Sequence, residues 1–194
     1  MRTLVIIIAF VSTLTINAQS SKIDKSNSSF GLKGGYNLAS VRNSEGNETD
    51  QREGFHVGFF GESSINNFLG LQIELTYSQQ GYVIENSNFK LTQKIDYLNI
   101  PLMLKLYPTK TFYLEAGPQI GYAISHKENI DTFLGGSNSN FDPNSLDWGA
   151  NVGLGFKSET GIVLGARFHH GLGKIYEETN EFNNVLQLSL GFIF

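Results

Sequence analysis

Residues 96–124 read DYLNIPLMLKLYPTKTFYLEAGPQIGYAI, and this stretch decides the fold. Two runs in which every second residue is apolar flank a short polar turn that contains Pro108. A period of two predicts β-strands with one uniformly aliphatic face. A soluble sandwich and a lipid bilayer are both able to bury such a face, so the rest of the chain has to distinguish them. The aliphatic phase of the first run consists of Leu98, Ile100, Leu102, Leu104 and Leu106.

The first residues, MRTLVIIIAFVSTLTINAQSS, have the pattern of a secretory signal. Arg2 precedes an uncharged apolar core, and Ile16-Asn17-Ala18 is a suitable cleavage site. The core is too short for a spanning helix, which needs ~20 residues. An uncleaved amphipathic start is disfavoured because the segment has no polar face. We therefore predict a cleavable signal peptide over 1–18, a short periplasmic segment over 19–29 and the folded domain over 30–194.

The composition excludes several classes of protein. The chain has no cysteine, which removes disulfides, thiolate metal sites and a lipid-bearing cysteine. After the signal segment no apolar run approaches the length of a spanning helix, so a membrane fold would have to be a β-barrel. The net charge is −4 and no basic stripe is present, so we expect no nucleic-acid partner.

Scoring the alternation gives eight candidate strands, and their connections alternate in length. The connections over 63–67, 107–111 and 158–161 are short, whereas those over 42–53, 81–93, 125–145 and 174–184 are long. This asymmetry predicts an all-β, eight-stranded antiparallel up-and-down transmembrane barrel, with tight turns and both termini in the periplasm. The competing prediction is a soluble barrel of the lipocalin type, which would have aliphatic residues inside and a polar outer face.

The phase opposite to the leucines favours the membrane barrel. It is rich in glycine and in small polar residues, which suit the crowded interior of an eight-stranded barrel. We therefore predict that the aliphatic phase faces lipid. Pro101 lies in the interior phase and predicts a local bulge or a widened pairing, because proline donates no ladder hydrogen bond. Four aromatic residues near the long connections predict an interfacial girdle: Tyr36, Tyr77, Tyr122 and Trp148.

Six charged residues fall in the interior phase, three of each sign. An unpaired ion in such an enclosure costs several kcal/mol, so we predict a structural salt-bridge network that closes the lumen. A gated proton or ion path is the alternative. The predicted network consists of Lys33, Glu62, Glu74, Lys105, Glu115 and Arg167.

Asp147 and His169 are the residues that most resemble an enzyme's acid-base pair. If the turn over 158–161 sets the register, paired residue numbers sum to about 319, which places His169 opposite Ala150 near the outer rim. No positioned nucleophile stands out, so a hydrogen bond at the rim is the default interpretation, and we predict no enzyme. The other histidines have no spacing typical of a metal site, and we predict neither a metal nor a cofactor. They are His56, His126 and His170.

The whole predicted domain resembles the PorT-like family of small outer-membrane β-barrel proteins of Gram-negative bacteria. The resemblance rests on the segments FGLKGGYNLA (30–39), LGLQIELTYSQQG (69–81), DYLNIPLMLKLYP (96–108), YLEAGPQIGYAI (113–124), ARFHHGLGKI (166–175) and LQLSLGFIF (186–194). It implies an outer-membrane location and, for the family's namesake, a part in protein secretion. The segments carry no motif that would transfer that role residue by residue.

The closing run, which ends in Phe194, resembles the signal that the barrel-assembly machinery recognises. A terminal aromatic residue is equally suited to be one more lipid-facing anchor. The expected partners are thus outer-membrane lipid, the assembly machinery and proteins of the envelope or of secretion. Three functions follow as hypotheses: a structural or surface-interaction barrel, an accessory to secretion or envelope assembly, and a barrel-embedded enzyme that uses His169 and Asp147.

Overall fold

The computed structural model describes residues 28–44, 46, 48–86, 89–132, 135–139, 144–175 and 180–194, with all their side chains except those of 85–90 and 128–139. The predicted signal peptide and nearly all of the 19–29 segment lie outside these residues. The described residues form nine strands. They are β1 (Ser28–Asn43), β2 (Asp50–Ser64), β3 (Leu69–Asn86), β4 (Phe89–Leu106), β5 (Phe112–Thr132), β6 (Gly135–Ser139), β7 (Leu146–Lys157), β8 (Ile162–Lys174) and β9 (Glu181–Ile193).

Eight of these strands close into a barrel. Each pairs antiparallel with its neighbour in the chain, β5 pairs with β7, and β1 pairs with β9 to complete the cylinder. The short β6 pairs with β5 alone among the described strands. The predicted eight-stranded antiparallel up-and-down barrel is confirmed. We call the end at which β1 begins and β9 ends the terminal end, and the opposite end the loop end.

The two faces of the barrel wall have the polarity predicted for a membrane barrel. Leucine, isoleucine, valine and phenylalanine side chains cover the outside, and Leu102 and Leu190 are 42% and 59% exposed. Lysine, arginine, glutamate, asparagine and glutamine side chains fill the inside, where Arg167 is 5% exposed. A soluble barrel would show the reverse arrangement. Within the described residues, no helix has the length and apolar character needed to cross a membrane.

The strands at the loop end are longer than the alternation predicted. The predicted connection over 81–93 is mostly strand, since β3 continues to Asn86 and β4 starts at Phe89. β5 likewise runs to Thr132, within the predicted connection over 125–145. The alternation fades there because outward positions become polar, for example Lys94 and Asp96. Backbone pairing does not depend on that alternation and therefore continues.

Pro101 produces no register shift with either neighbouring strand, so the bulge predicted there is wrong. On the β3 side the ladder is interrupted between the pairs Ile73↔Leu102 and Thr76↔Asn99 with the register unchanged, which fits the widened pairing. The irregularity of β4 lies instead at Asp96/Tyr97, where its pairing with β5 shifts by one residue.

An apolar cluster lies toward each end of the lumen. At the terminal end Phe60, Tyr113 and Val163 pack together with Tyr107 and Ile193. Between the two clusters the lumen holds buried polar side chains, such as Glu74 and Arg167. At the loop end a larger cluster is formed by Val41, Tyr82, Ile95, Tyr97 and Ile175.

Candidate functional site in the barrel lumen

Four of the predicted charges form one compact group, which we call the inner ion cluster: Lys33, Glu74, Glu115 and Arg167. Arg167 donates from Nη1 and Nη2 to the two Glu74 oxygens, at 3.0 and 2.7 Å, and from Nε to Glu115 Oε1 at 2.7 Å. Lys33 Nζ lies 2.5 Å from Glu74 Oε2. The bidentate guanidinium contact is the strongest geometry available to a carboxylate. The cluster has two charges of each sign and is formally neutral.

The other two predicted charges meet nearer the terminal end, in what we call the terminal ion cluster. Glu62 lies 3.1 Å from Lys105 Nζ and 3.2 Å from Lys157 Nζ, and it accepts a 2.6 Å hydrogen bond from the Tyr107 hydroxyl. Burial, followed by the Glu62 charge, raises the pKa of Tyr107, so its hydroxyl stays neutral and donates. Lys105 also lies 4.1 Å from the centre of the Tyr113 ring.

Lys157 is the charged residue that the sequence analysis missed. It continues the inward phase of β7 beyond Gly155, at the last position of the strand. Extending the alternation by two residues would have included it. Its side chain is 28% exposed, compared with 2% for Lys105, so it closes the cluster from the solvent side.

The ion clusters leave little open space in the lumen. A cavity of about 20 Å³ lies between them, lined by Lys33, Lys105, Glu115, Arg167 and Tyr113 among others. A space of this size holds a single water molecule. Gly155 makes room for the Tyr113 ring, since a Cβ atom there would lie 2.4 Å from the phenol oxygen. The lumen at this level is therefore packed with side chains.

A second polar group, missed from the sequence, joins β1, β2, β3 and β9. Asn37 Nδ2 donates to Ser78 Oγ at 3.0 Å and to the Gln79 carbonyl at 2.9 Å, which fixes the orientation of the amide. Its Oδ1 accepts from His56 Nδ1 at 2.7 Å, and His56 Nε2 accepts from Ser189 Oγ at 2.9 Å. The cross-strand pairs Gly35↔His56 and Gly35↔Ser189 bring these residues together, and no local motif signals this.

The serine, histidine and asparagine have the order of contacts found in a catalytic triad. His56 is 1% exposed and Asn37 is fully buried. The lumen cavity that Ser189 lines is the one of about 20 Å³, which leaves no room for an ester or amide substrate. We therefore interpret the group as a structural hydrogen-bond chain.

Replacing Asn37 with leucine should lower the free energy of unfolding by about 1–3 kcal/mol, because the buried His56 N–H loses the oxygen that accepts its hydrogen bond. The control is Gln187→Leu, the same kind of change at a buried amide whose one hydrogen bond to Asn37 is long, at 3.3 Å. It should cost less than about 1 kcal/mol. Urea unfolding of both variants in detergent micelles gives the measurement. Equal effects of the two substitutions would contradict a special role for Asn37.

Asp147 and His169 are close together, although the predicted register was off by one residue. His169 lies opposite Asn151, and His170 lies opposite Ala150, so paired numbers sum to 320. The turn explains the shift: Gly161 has a φ of +88°, and Ser158 N–H donates to Ile162 O, which makes a three-residue loop. His169 Nε2 and Asp147 Oδ2 are 3.5 Å apart.

The structure buries this pair inside the lumen. His169 is 1% exposed and Asp147 is 3% exposed.

No group of three or more histidine, cysteine, aspartate or glutamate side chains arranged for a metal occurs in the described part of the chain. His170 lies beside Arg42, with Nε2 and Nη2 at 3.3 Å, while both ring nitrogens of His56 are engaged in the chain described above.

Comparisons with known proteins agree with this architecture. The family model "Outer membrane protein beta-barrel domain" matches residues 17–177. The crystal structure of Ail, the attachment invasion locus protein of Yersinia pestis, has a TM-score of 0.55 at 14% identity and covers 87% of this chain and 99% of Ail. Neisserial surface protein A has a TM-score of 0.53 at 17% identity, covering 85% of this chain and 97% of its own.

No curated protein matches the chain in sequence. At the identities above, the two solved structures show a common fold and leave the activity open. The family model, in contrast, spans most of the chain. The chain therefore belongs to the outer membrane protein β-barrel domain family, and it is an integral β-barrel protein of the outer membrane.

Proposed function

We propose that the protein is a surface-interaction barrel that acts through the strands projecting at its loop end. The observation that carries the proposal is the length of the central hairpins. β3 and β4 remain paired up to Asn86↔Phe89, and β4 and β5 up to Phe89↔Thr132, well beyond the aromatic residues Tyr77 and Tyr122. Tyr122 is 52% exposed on the outer wall, as an interfacial aromatic residue would be.

Such paired strands present a rigid platform, whereas a long unpaired loop would present a mobile one. The apolar cluster of Val41, Tyr82 and Ile95 supports the platform from inside. The packed ion clusters favour a role without solute transport. In this proposal the terminal end, with the short turns and both termini, faces the periplasm, and the platform faces outward.

Trimming the platform tests the proposal. Because Gly81 pairs with Lys94, residues 82–93 can be replaced by an Asn-Gly turn that continues the β3–β4 ladder. The trimmed protein should still fold into a barrel that migrates differently on detergent gels with and without boiling. A strain that carries it should show the same envelope and surface-binding defects as a strain that lacks the gene. Full complementation by the trimmed protein would contradict a role for the platform.

An accessory role in secretion or envelope assembly is the second candidate, and the terminal end provides an observation in its favour. A polar cavity of about 330 Å³ opens there, lined by Glu62, Tyr107, Lys110 and Lys157 among others. A periplasmic partner is able to reach these residues in the proposed orientation. The resemblance to the PorT-like family supports the same role. Loss of many secreted proteins from the medium of a deletion strain would favour it, and replacement of the turn over 107–111 should then reproduce that loss.

Assembly into the membrane supplies two further proposed partners. Outer-membrane lipid would cover the apolar wall, and the barrel-assembly machinery would recognise the closing strand. Phe194 is 76% exposed and its main-chain N–H donates to the Phe30 carbonyl, so it lies at the seam between the first and last strands.

The embedded-enzyme hypothesis remains the third candidate. It requires that His169→Ala abolish an activity while the barrel stays folded.

A further inference from the structure

The contact between His169 Nε2 and Asp147 Oδ2, at 3.5 Å, is a hydrogen bond only if Nε2 carries a proton. Asn151 Nδ2 donates to Gln119 Oε1 at 3.2 Å, which orients its Oδ1 toward His169 Nδ1 at 3.1 Å. With the amides in this orientation, the Nδ1 atom carries the proton. In neutral imidazole, Nε2 then presents a lone pair toward a carboxylate oxygen 3.5 Å away. Nε2 has no hydrogen-bond partner although it is buried.

Two buried acceptors at this distance repel each other unless a positive species lies between them. Two buried cations of the lumen, Lys33 and Arg167, pair instead with Glu74 and Glu115. A proton on Nε2 is one solution, and a metal ion is the other. The geometry fits a metal ion, because nitrogen and oxygen ligands at about 2.0–2.2 Å from a tetrahedral Zn²⁺ lie about 3.4 Å apart.

The residues around the pair supply further oxygen ligands. Asn183 is fully buried, and its Nδ2 lies 3.4 Å from Asp147 Oδ2 and 3.2 Å from the Tyr97 phenol oxygen. Its Oδ1 has no hydrogen-bond partner. Since the amide nitrogen and oxygen exchange places by a half-turn of the side chain, Oδ1 is able to take the position nearest Asp147. A cation between Asp147 and His169 would stabilise that arrangement.

We propose that Asp147 and His169, with the Asn183 amide oxygen, form a binding site for a divalent transition-metal cation of the Zn²⁺ type. Imidazole and carboxylate ligands together suit this class of ion.

Zinc titration of the full-length mature protein tests the proposal. The loop-end cluster covers the site, so ZnCl₂ is present during refolding into detergent micelles, and excess metal is removed before the bound zinc is counted. We expect about one Zn²⁺ per wild-type chain. The variants His169→Gln and Asp147→Asn should each weaken binding at least tenfold. The double variant His126→Gln/His170→Gln, which removes the imidazoles nearer the surface, should keep the wild-type stoichiometry.

Two results would overturn the site: no bound zinc in the wild type, or unchanged binding in His169→Gln. Should a site variant fail to fold on the detergent gel, the imidazole ¹⁵N spectrum of the wild type decides instead. Zinc should shift the His169 Nε2 resonance and leave Nδ1 protonated. An Nε2 signal that already carries a proton and does not respond to zinc would show that a proton bridges the pair, and the metal site would be rejected.

Discussion

Arg167→Met should lower the free energy of unfolding by about 3–5 kcal/mol, which is the usual cost of breaking a buried charge pair by removing one partner. Arg167 makes three hydrogen bonds to Glu74 and Glu115 and is almost completely buried. After the substitution Lys33 still holds Glu74, at 2.5 Å, but Glu115 loses its guanidinium partner. Urea unfolding in lipid vesicles, followed by the fluorescence of Trp148, gives the measurement.

The matched control is Lys157→Met, which also removes a cation from a glutamate. Lys157 is partly exposed, and Glu62 keeps Lys105 and Tyr107 as partners, so the loss should stay below about 1 kcal/mol. Adding Glu115→Gln to Arg167→Met should recover part of the lost stability, because the double variant has no unpaired Glu115 charge. Equal effects of Arg167→Met and Lys157→Met would mean that the inner ion cluster contributes no more than a surface pair.

The sequence predicted the barrel because its physical cause is local. Each strand that crosses the hydrocarbon core of the membrane must present aliphatic residues outward and small or polar residues inward, as the run from Leu98 to Leu106 does. This alternation is visible in the sequence at a period of two. Outside the hydrocarbon core, the outward residues need not be aliphatic. The extension of β3 and β4 to Asn86 and Phe89 depends on backbone pairing and on the cluster around Tyr82 and Ile95, which alternation does not report.

The polar groups of the lumen were likewise predictable only in part. The six inward charges were recognised by phase alone, because a buried ion in a closed lumen must find a partner. Which charges pair was not predictable, since the contacts of Glu74 join β1, β3 and β8 and depend on the closure of the barrel. The chain of Asn37, His56 and Ser189 was missed for the same reason. Its members are brought together by the pairing of β1 with both β2 and β9.

A charge placed on the outer wall should be costly only within the membrane. Leu102→Arg, at the middle of the outward run 98–106, should lower the free energy of unfolding in lipid vesicles by about 2–4 kcal/mol, the cost of an arginine near the bilayer midplane. The side chain is 42% exposed on the barrel surface, so the substitution causes no steric clash with the lumen. The cost arises from the transfer of the guanidinium into hydrocarbon.

Leu172→Arg is the matched control, because Leu172 is 44% exposed, points outward from β8 and lies at the loop end, two residues before the strand ends at Lys174. Near the interface an arginine should cost only about 0–1 kcal/mol. We expect the loss in free energy of unfolding caused by Leu102→Arg to be smaller in thin bilayers than in thick ones, because a thinner hydrocarbon core lets the guanidinium reach water. The loss caused by Leu172→Arg should be nearly the same in both. A penalty at Leu102 that equals the one at Leu172 in every bilayer would contradict the placement of the 98–106 run across the membrane.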